Sequence, residues 1–451
     1  MSTRKTEWTF TGVLSVAHAS QHFFSRLIPP LIPIMAVQLE LPLWKLGLLI
    51  TVYSLGAGFG QTPMGILSDK YDRRFILAPG IGVLAGSYII FGLAPYIGTA
   101  VPTLNGLGYT IEGPFLVMCL AMLIGGLGDS VTHPTGYPLL NENVSDARYG
   151  KSLGMWGSAA KFGDAGAPAL IAVLILILLW NEILILLGAI GVVYAAVLFM
   201  ILSKQEFETL PPEHASKQPD SEELDGDEES ESVSVWTGDM RLFVYPMLAV
   251  LLFFTTRMIA TKGVNTFVPA FITDVYGYSF TYLGLNLAPE SFANFYFSLL
   301  LVTAGIVQLG TGAVTDLYDE RKVLIGFLLV STLALGALSM LTLGPVALLF
   351  VLLLVGGGLW GLNPARDALI SDISPPEREG RTFGYLWTVT QLIGAMSPLF
   401  VGLIADMSGI QASFRWLAVA TLLSALAVGL LFSKRVYLDA DAAASEGTAA
   451  D

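Results

Sequence analysis

The sequence predicts an all-α membrane protein with twelve transmembrane helices arranged as two pseudo-symmetric six-helix bundles. Three observations predict this fold. The chain has 451 residues, of which 54% are hydrophobic and only 13% charged, with a mean hydropathy of +0.67. Apolar stretches long enough to cross a bilayer recur along the chain, and its two halves repeat each other. An ordinary cytosolic enzyme is excluded, because water-soluble proteins carry about 25% charged residues to cover their surface.

The net charge of −13 is concentrated in two hydrophilic segments. Residues 203–240 contain twelve acidic residues and two lysines, and residues 434–451 carry a net charge of −2. The remaining body is therefore almost neutral, and the acidity says nothing about a substrate. We expect 203–240 to be a disordered cytoplasmic linker, because a segment rich in Ser, Glu and Asp buries too little apolar surface to fold. The single cysteine, Cys119, excludes an intrachain disulfide.

Twelve apolar segments reach the length of about 20 residues that a spanning helix needs. The first six lie near 10–38, 44–67, 75–97, 114–140, 152–178 and 183–202. The other six lie near 242–275, 291–314, 323–343, 346–371, 382–405 and 412–433. We therefore expect a first bundle over 1–202, the linker over 203–240, a second bundle over 241–435 and an acidic tail over 436–451.

Basic residues predict the orientation of these helices. With both termini in the cytoplasm, sixteen of the 23 lysines and arginines fall in cytoplasmic segments, two fall outside and five lie within spans. Loops rich in Lys and Arg remain on the cytoplasmic side of a membrane. We therefore expect an integral protein of the cell membrane with cytoplasmic N- and C-termini.

Small residues and prolines recur at an offset of 230 residues. The matched pairs are Gly126 and Gly356, Gly128 and Gly358, Pro134 and Pro364, Gly154 and Gly384, and Pro168 and Pro398. They fall in the fourth and tenth segments and in the fifth and eleventh. Parallel repeats related by an axis along the membrane normal are the arrangement of one large class of transporters.

A charged loop follows the second segment and recurs after the eighth. The first copy is Gly65-Ile-Leu-Ser-Asp69-Lys-Tyr-Asp72-Arg73-Arg74, and the second is Gly312-Ala-Val-Thr-Asp316-Leu-Tyr-Asp319-Glu-Arg321-Lys322. Both resemble the G-x-L-x-D-R-x-G-R-R loop of the major facilitator superfamily, with Asp72 where glycine is usual. The resemblance implies the twelve-helix fold of that superfamily.

The residue types of this loop predict a cytoplasmic latch. The glycine lets two helices approach closely, and the aspartate suits a neighbouring helix N-terminus, which favours negative charge. The arginines of the first copy can reach carboxylates at the end of the fourth segment, such as Glu142 or Asp146. The alternative is a pair of basic turns that only set the orientation.

A narrower resemblance covers most of the first half. His18, the run Gly128-Asp129-Ser-Val-Thr-His133-Pro134 and the run Tyr149-Gly150-Lys151-Ser152 are similar to fosmidomycin-resistance-type exporters of this superfamily. The second half, with Asn363-Pro364 in place of His-Pro, is similar at superfamily level only. This resemblance implies proton-linked export, and the chain departs from it at His22, where those exporters carry an acidic or amide residue.

The fifth segment carries part of an antiporter signature. Gly154, Gly163 and Pro168 resemble the pattern G-x8-G-x3-G-P, although its last glycine pair is absent. The small residues would allow close packing, and the proline would set a bend that closes the outer gate. The alternative is a glycine-rich packing helix without a gating role.

Charged side chains within the spans predict the functional site. Apart from Lys161 and Asp164 in segment five, they lie in segments one, four, seven and ten, which line the central path in the superfamily that the chain resembles. An intramembrane charge is functional by default. The predicted substrate ligands are Arg26, His22, Arg257, Lys262, Asn363 and Arg366. The predicted proton-coupling residues are Asp129, His133 and His18. Lys161 and Asp164, three residues apart, are expected to neutralise each other.

The excess of cations predicts a substrate with a carboxylate, phosphonate or phosphate group, because arginine binds such groups through paired hydrogen bonds. Arg26 and Arg257, on symmetry-related helices, would hold one anion between the halves. Three alternatives stay open. Arg26 or Arg366 extends to a membrane interface, Lys262 pairs with an internal acid, and each histidine is a structural residue.

The leading hypothesis is a secondary active transporter that works by alternating access and exports small anionic or amphiphilic compounds in exchange for protons. One alternative is organic-anion uptake by symport or exchange, and another is a membrane sensor or channel on the same scaffold. We expect no enzyme activity, cofactor, metal site or nucleic-acid partner, because no phosphate-binding loop, metal-ligand spacing or nucleophile–base set is present. We expect a monomer whose partners are the substrate, protons and the lipid bilayer.

Overall fold

The computed structural model describes residues 4–106, 109–211, 243–282, 285–374 and 379–437. Most of the linker that we expect to be disordered and most of the acidic tail lie outside the described residues. Within the described residues the chain is almost entirely helical, which confirms the prediction of an all-helical fold.

Helix occupies each of the twelve predicted segments. In the first half, helices α1 to α8 comprise Arg4–Ser25, Ile32–Gln38, Leu43–Lys70, Arg74–Ile97, Gly113–Asp129, Thr132–Asn143, Asp146–Leu174 and Trp180–Leu202. In the second half, helices α9 to α16 comprise Val244–Phe271, Pro289–Thr315, Glu320–Met340, Pro345–Gly361, Asn363–Ile373, Glu379–Ala395, Ser397–Ser408 and Ile410–Leu430. A π-helical turn, Ile272–Tyr276, extends α9, and 3₁₀ turns lie at Pro29–Leu31 and Gly98–Ala100.

The expected count of twelve spanning helices is not reached among the described residues. Ten helices, counted with their extensions, are long and apolar enough to cross a membrane. The two long helices that fall short are α1 and α7, because α1 contains His18, Gln21 and His22 and α7 contains Lys161 and Asp164. These two helices pack along each other, so several of these polar groups meet at a protein interface.

Prolines interrupt the helices at matched places in the two halves. The fourth segment breaks between α5 and α6, shortly before Pro134, and the tenth breaks between α12 and α13, directly before Asn363-Pro364. A proline lacks the N–H that a helix interior requires. The pair Pro168 and Pro398 differs, because α7 continues through Pro168 whereas α15 begins one residue before Pro398.

Three of the repeated glycines lie where helices approach closely, whereas a Cβ added at Gly154 or Gly384 would meet no atom within 4 Å. A Cβ atom added at Gly126 would lie 2.2 Å from the Tyr53 carbonyl oxygen of α3, and one at Gly128 would lie 2.6 Å from the Leu84 amide nitrogen of α4. In the second half, a Cβ added at Gly358 would lie 2.1 Å from the Ser331 hydroxyl oxygen of α11. Only glycine fits at such distances, which explains why these positions recur in register.

The chain divides into two compact units. The first comprises Met1–Gln218, Asn265–Val302 and Ala395–Ile410, and the second comprises Pro219–Val264, Thr303–Gly394 and Gln411–Asp451, so far as these residues are described. The first contains an apolar core built by α1, α4, α6, α7 and α8. The second contains one built by α9, α11, α13, α14 and α16. The predicted bundle boundaries at 202 and 241 stay a prediction.

Parts of α9 and α10 and all of α15 belong to the first unit, where polar groups join α10 and α15 to the first half of the chain. The Asn294 amide donates to the Pro30 carbonyl oxygen at 3.1 Å, and the Ser298 hydroxyl donates to the Ala165 carbonyl oxygen at 2.8 Å. Asp406 of α15 accepts hydrogen bonds from the first two amides of α3. This end of α3 is opposite the end that carries the Gly65–Arg74 loop.

Two short antiparallel hairpins lie between helices. Strands β1 (Leu104–Gly106) and β2 (Tyr109–Ile111) pair before α5, and β3 (Phe280–Tyr282) and β4 (Leu285–Leu287) pair before α10. The sequence pattern does not predict them, because a strand of three residues is too short to show alternation.

Candidate functional site

The first unit brings three histidines together beside a tryptophan. His18 and His22 lie on α1 and His133 on α6, with ring centroids 4.8 Å apart for His18 and His22 and 5.1 Å apart for His18 and His133. The Trp156 ring of α7 stacks on His18 at 3.7 Å, and its backbone carbonyl oxygen accepts a hydrogen bond from Nδ1 of His18 at 2.9 Å. We call His18, His22 and His133 the histidine cluster.

One nitrogen of each ring in the histidine cluster lies within 4.8 Å of the others, so the set has the geometry of a candidate metal site. The expectation of no metal site stays a prediction, but sequence spacing could not reveal this candidate set. The reason is that the rings come from two helices far apart in sequence. A ligand pattern read along one segment cannot show such a set.

Asp164 on α7 is a buried carboxylate that hydrogen-bonds to His22 of this cluster. It is only 3% exposed and accepts hydrogen bonds from Nε of Arg26 at 2.8 Å and from Nδ1 of His22 at 3.1 Å. The Lys161 ammonium is more distant, at 3.7 Å. Asp164 is thus shared among three cationic or imidazole groups and is not neutralised by Lys161 alone. Arg26 therefore has a carboxylate partner within the first unit.

The predicted coupling residue Asp129 ends α5, one turn before the histidine of α6. It is half-buried and accepts a hydrogen bond from the Gln21 amide of α1 at 2.5 Å. Gln21 is itself buried, at 5% exposed, between the two histidines of α1 in sequence. The carboxylate therefore lies on the same α1 surface that carries the histidine cluster.

The second unit contains a buried arginine, Arg257 of α9, which is 2% exposed. Its Nε and Nη2 donate to the Leu359 carbonyl oxygen at 3.2 and 2.7 Å, and Nη2 also donates to Oδ1 of Asn363 at 2.6 Å. Among the described residues, no carboxylate lies within 4.0 Å of its guanidinium, and no protein acceptor lies within hydrogen-bond distance of its Nη1. The two N–H groups of Nη1 are thus available to a ligand.

Arg366 of α13 shares Asn363 with Arg257 but has a carboxylate partner of its own. Its Nη1 donates to Oδ1 of Asn363 at 3.2 Å and its Nε donates to Oδ1 of Asp367 at 2.7 Å. The guanidinium also lies over the rings of Phe254 and Trp387, at 5.2 and 5.5 Å from their centroids. Asn363 in turn donates to Gln308 at 3.4 Å.

The remaining predicted substrate ligand, Lys262 of α9, is half-buried in the second unit. A Cβ added at Gly394 would lie 3.8 Å from its Cγ. Arg26 belongs to the first unit and Arg257 to the second. The predicted clamp of both arginines on one anion stays a prediction.

The first charged loop contains a buried ion pair. Nη1 of Arg73 lies 2.5 Å from Oε2 of Glu142 at the end of α6, and the Arg73 side chain is 3% exposed. Arg74 instead pairs with Asp72 within the loop at 2.8 Å. Asp69 is exposed, and a Cβ added at Gly65 would approach only Pro134, at 3.9 Å. A gating role for these residues stays a prediction.

The second charged loop is organised differently. Arg321 makes a two-point contact with Asp319 at 2.7 and 3.0 Å and lies over the ring of Phe432, at 4.8 Å from its centroid, after α16. The hydrogen bond from Arg321 holds the pKa of the Asp319 carboxyl below its ordinary value. Asp316 is exposed, and a Cβ added at Gly312 would meet no atom within 4 Å.

The three small or bent positions of α7 have unequal surroundings. A Cβ added at Gly163 would lie 2.1 Å from the Ala19 carbonyl oxygen and 3.0 Å from Cβ of His22, so this glycine sets the close approach of α7 to α1. Pro168 is buried in an unbroken helix. A Cβ added at Gly154 would meet no atom within 4 Å, so no described residue packs closely there.

Sequence reasoning missed four residues that support these sites. Gln21 donates a hydrogen bond to Asp129, Trp156 and Asp164 contact the histidine cluster, and Gln308 accepts a hydrogen bond from Asn363. The charge of Asp164 within an apolar segment was a visible signal, but sequence reasoning paired this residue with Lys161. The others carry no charge, and their partners lie on other helices.

Comparison with known proteins identifies the family. The family model described as the Major Facilitator Superfamily matches residues 14–289 and 282–449, which is more than half of the chain. The probable L-galactonate transporter of Escherichia coli (strain K12) is 24% identical over 169 residues, 38% of this chain and 33% of that protein. The chain therefore spans about a third of this relative. The hexuronate transporter of Bacillus subtilis (strain 168) is 20% identical over 385 residues, 84% of this chain and 83% of that protein.

A third relative is the MFS-type efflux transporter phmH of Phaeosphaeria nodorum, 31% identical over 125 residues, 27% of this chain and 20% of that protein. Among solved structures, a bacterial homologue of the human lysosomal transporter Spinster has a TM-score of 0.73 at 13% identity, covering 96% of this chain and 98% of that one. The xylose transporter XylE from E. coli has a TM-score of 0.64 at 15% identity, covering 94% and 95%. At these identities the structures support the fold.

Fold, apolar helices and family agree on the class of protein. Ten helices that can span a bilayer make the chain an integral membrane protein. The family model and the relatives make it a secondary transporter and not an enzyme. The chain belongs to the Major Facilitator Superfamily.

Proposed function

We propose that the protein carries a small carboxylate-bearing solute of the sugar-acid class across the membrane by alternating access. The single observation that carries the proposal is Arg257, a buried guanidinium without a carboxylate partner among the described residues. Burying an unpaired charge is costly, so such a group persists where a ligand of opposite charge completes it. A carboxylate can accept both N–H groups of its free Nη1.

Two relatives support the solute class. One is a hexuronate transporter and one a probable L-galactonate transporter, and both names denote sugar acids. Polar side chains near Arg257, those of Asn363 and Gln308, can exchange hydrogen bonds with sugar hydroxyls. Arg26 already pairs with Asp164, so we assign the carboxylate contact to Arg257.

Transport by purified protein in sealed vesicles tests the proposal. We expect radiolabelled glucuronate to enter vesicles preloaded with unlabelled glucuronate, whereas glucose, which has a similar ring without the carboxylate, does not. An excess of galactonate should compete. Equal entry of glucose and glucuronate would contradict a carboxylate-binding site.

We further propose that Asp129 couples this transport to protons. It is half-buried among α1 and α5 and bound by Gln21, so a proton can bind its carboxylate in exchange for that hydrogen bond. Asp129→Asn is expected to abolish accumulation driven by an imposed pH gradient but to retain exchange of labelled for unlabelled glucuronate, because exchange requires no net proton movement. Both processes are measured in the same vesicle preparation. Full accumulation by the variant would remove Asp129 from the coupling mechanism.

Export of small amphiphilic compounds is the second candidate function. The efflux transporter phmH favours it through 31% identity over 125 residues, 27% of this chain. The narrower resemblance to fosmidomycin-resistance-type exporters has no support from the relatives described above. Imposing the pH gradient in either direction separates the candidates, because an exporter driven by proton exchange loads vesicles whose interior is acidic, and a symporter loads vesicles whose exterior is acidic.

The proposal also gives the charged loops a role as a cytoplasmic latch. Positive charge in the predicted cytoplasmic segments supports cytoplasmic termini, and the buried pair Arg73 and Glu142 would stabilise one conformational state at that side. In the second loop, Arg321 is held by its neighbour Asp319. We therefore expect the first loop to contribute more to the latch than the second.

A further inference from the structure

We propose that the histidine cluster, His18, His22 and His133, is a binding site for a divalent transition-metal ion that prefers imidazole ligands, such as Zn²⁺, Co²⁺ or Ni²⁺. Three imidazoles are a common ligand set for such ions, and they leave a fourth coordination position open. The inference is independent of which solute the protein carries, since all its ligands lie in the first unit.

The distances permit coordination after small ring rotations. One nitrogen of each ring lies within 4.8 Å of the others. Nitrogens about 2.0–2.1 Å from a tetrahedrally coordinated Zn²⁺ are about 3.3 Å from one another. The rings are nearly perpendicular, with interplanar angles of 78° and 82° between His18 and the other two, so rings must turn before their nitrogens point at one ion.

The hydrogen bonds of two rings each leave one ring nitrogen free. The Trp156 carbonyl oxygen can only accept, so Nδ1 of His18 donates to it and the lone pair of this ring is on Nε2. That atom is buried and has no hydrogen-bond partner among the described residues. Nδ1 of His22 likewise donates to the Asp164 carboxylate and leaves its Nε2 free.

These partners form the outer shell that metal-binding histidines require. A ligating imidazole almost always donates its other N–H to a carboxylate or a backbone carbonyl, which fixes the ring and raises its basicity. Here His18 has the carbonyl and His22 has the carboxylate. Arg26 pairs with the same carboxylate at 2.8 Å, and Lys161 lies 3.7 Å from it.

The composition of the chain allows a direct test. It has four histidines, and the fourth, His214, lies in the acidic linker. The full chain, purified in detergent with an affinity tag that contains no histidine, is titrated with Co²⁺ and then with competing Zn²⁺. We expect one Co²⁺ per chain with a visible absorption band of tetrahedral form, displaced by Zn²⁺.

The variants separate coordination from folding. His133→Gln removes a half-buried ligand and is expected to weaken Co²⁺ binding more than about 100-fold, because loss of an outer partner alone costs about 10- to 100-fold. Asp164→Asn is expected to weaken it by that smaller factor. His214→Ala should bind as the wild type does. Thermal unfolding without metal verifies that each variant is folded.

Two results would overturn the proposal. One is a folded wild-type protein that gives no tetrahedral band and binds Zn²⁺ no more tightly than His133→Gln does. The other is a His214→Ala variant that loses binding as strongly as His133→Gln. Because binding is measured without transport, neither result depends on the proposed solute.

Discussion

Replacing Arg257 by glutamine is expected to lower the affinity for glucuronate about 10- to 150-fold. A hydrogen bond to a charged group contributes about 1.5–3 kcal/mol, and each 1.4 kcal/mol is a factor of ten in affinity. The full effect is expected because the guanidinium is 2% exposed and no carboxylate of the described residues compensates it. The measurement is the dissociation constant for glucuronate, obtained from ligand-induced stabilisation of the purified protein.

Arg257→Lys distinguishes a ligand-binding arginine from a mere positive charge. Lysine keeps the charge but lacks the planar fork that holds the Leu359 carbonyl oxygen and Asn363 while presenting Nη1. We expect it to lose most of the affinity that glutamine loses. Arg415→Gln, at an exposed position of α16, is the matched control and should bind normally. Wild-type affinity in a folded Arg257→Gln protein would show that the carboxylate binds elsewhere.

Substituting Gly402 by leucine is expected to reduce transport about tenfold or more while the protein still folds. A Cβ at this position of α15 would lie 2.5 Å from the Leu43 carbonyl oxygen and 2.7 Å from Cα of Trp44. Overpacking at such a contact costs about 1–3 kcal/mol. That is enough to disfavour the state in which α3 and α15 meet here, and a transporter that cannot enter one state stops cycling.

Asp406 strengthens the same contact, so we expect it to stabilise the conformational state in which α3 and α15 meet. It accepts hydrogen bonds from the amides of Leu43 at 3.0 Å and Trp44 at 2.8 Å, and the residue that precedes α3, Pro42, offers no side-chain cap. A carboxylate at a helix N-terminus satisfies free amides and stabilises by about 0.3–1 kcal/mol. Asp406→Asn should therefore have a smaller effect than Gly402→Leu.

The measurement for both variants is the rate of glucuronate exchange per folded protein. Gly429→Leu is the control, because a Cβ added at Gly429 of α16 would meet no atom within 4 Å. It should leave exchange unchanged. If folded Gly402→Leu protein exchanges glucuronate at the wild-type rate, close approach of α3 and α15 is not required for transport.

Most of the helical framework follows from sequence. Apolar length predicts a helix in each of the twelve segments, and the repeated glycines predict close approaches such as that of Gly126 to Tyr53. Hydropathy shows that α1 and α7 are too polar to resemble independent spans, but it does not show what satisfies their polar groups. The reason is that His18, His22 and Asp164 are satisfied by partners on the other helix, which a sequence pattern cannot show.

For the candidate sites too, sequence determines some features and tertiary structure determines others. The sequence by itself determined which residues are chemically unusual: a charge such as Arg257 inside an apolar segment is conspicuous, because lipid does not solvate it. Only the tertiary structure decided how each one is used. Arg26 is paired with Asp164 and Arg366 with Asp367, whereas Nη1 of Arg257 has no acceptor among the described residues. Partner choice depends on distances between helices, and those distances are set by packing of the whole fold.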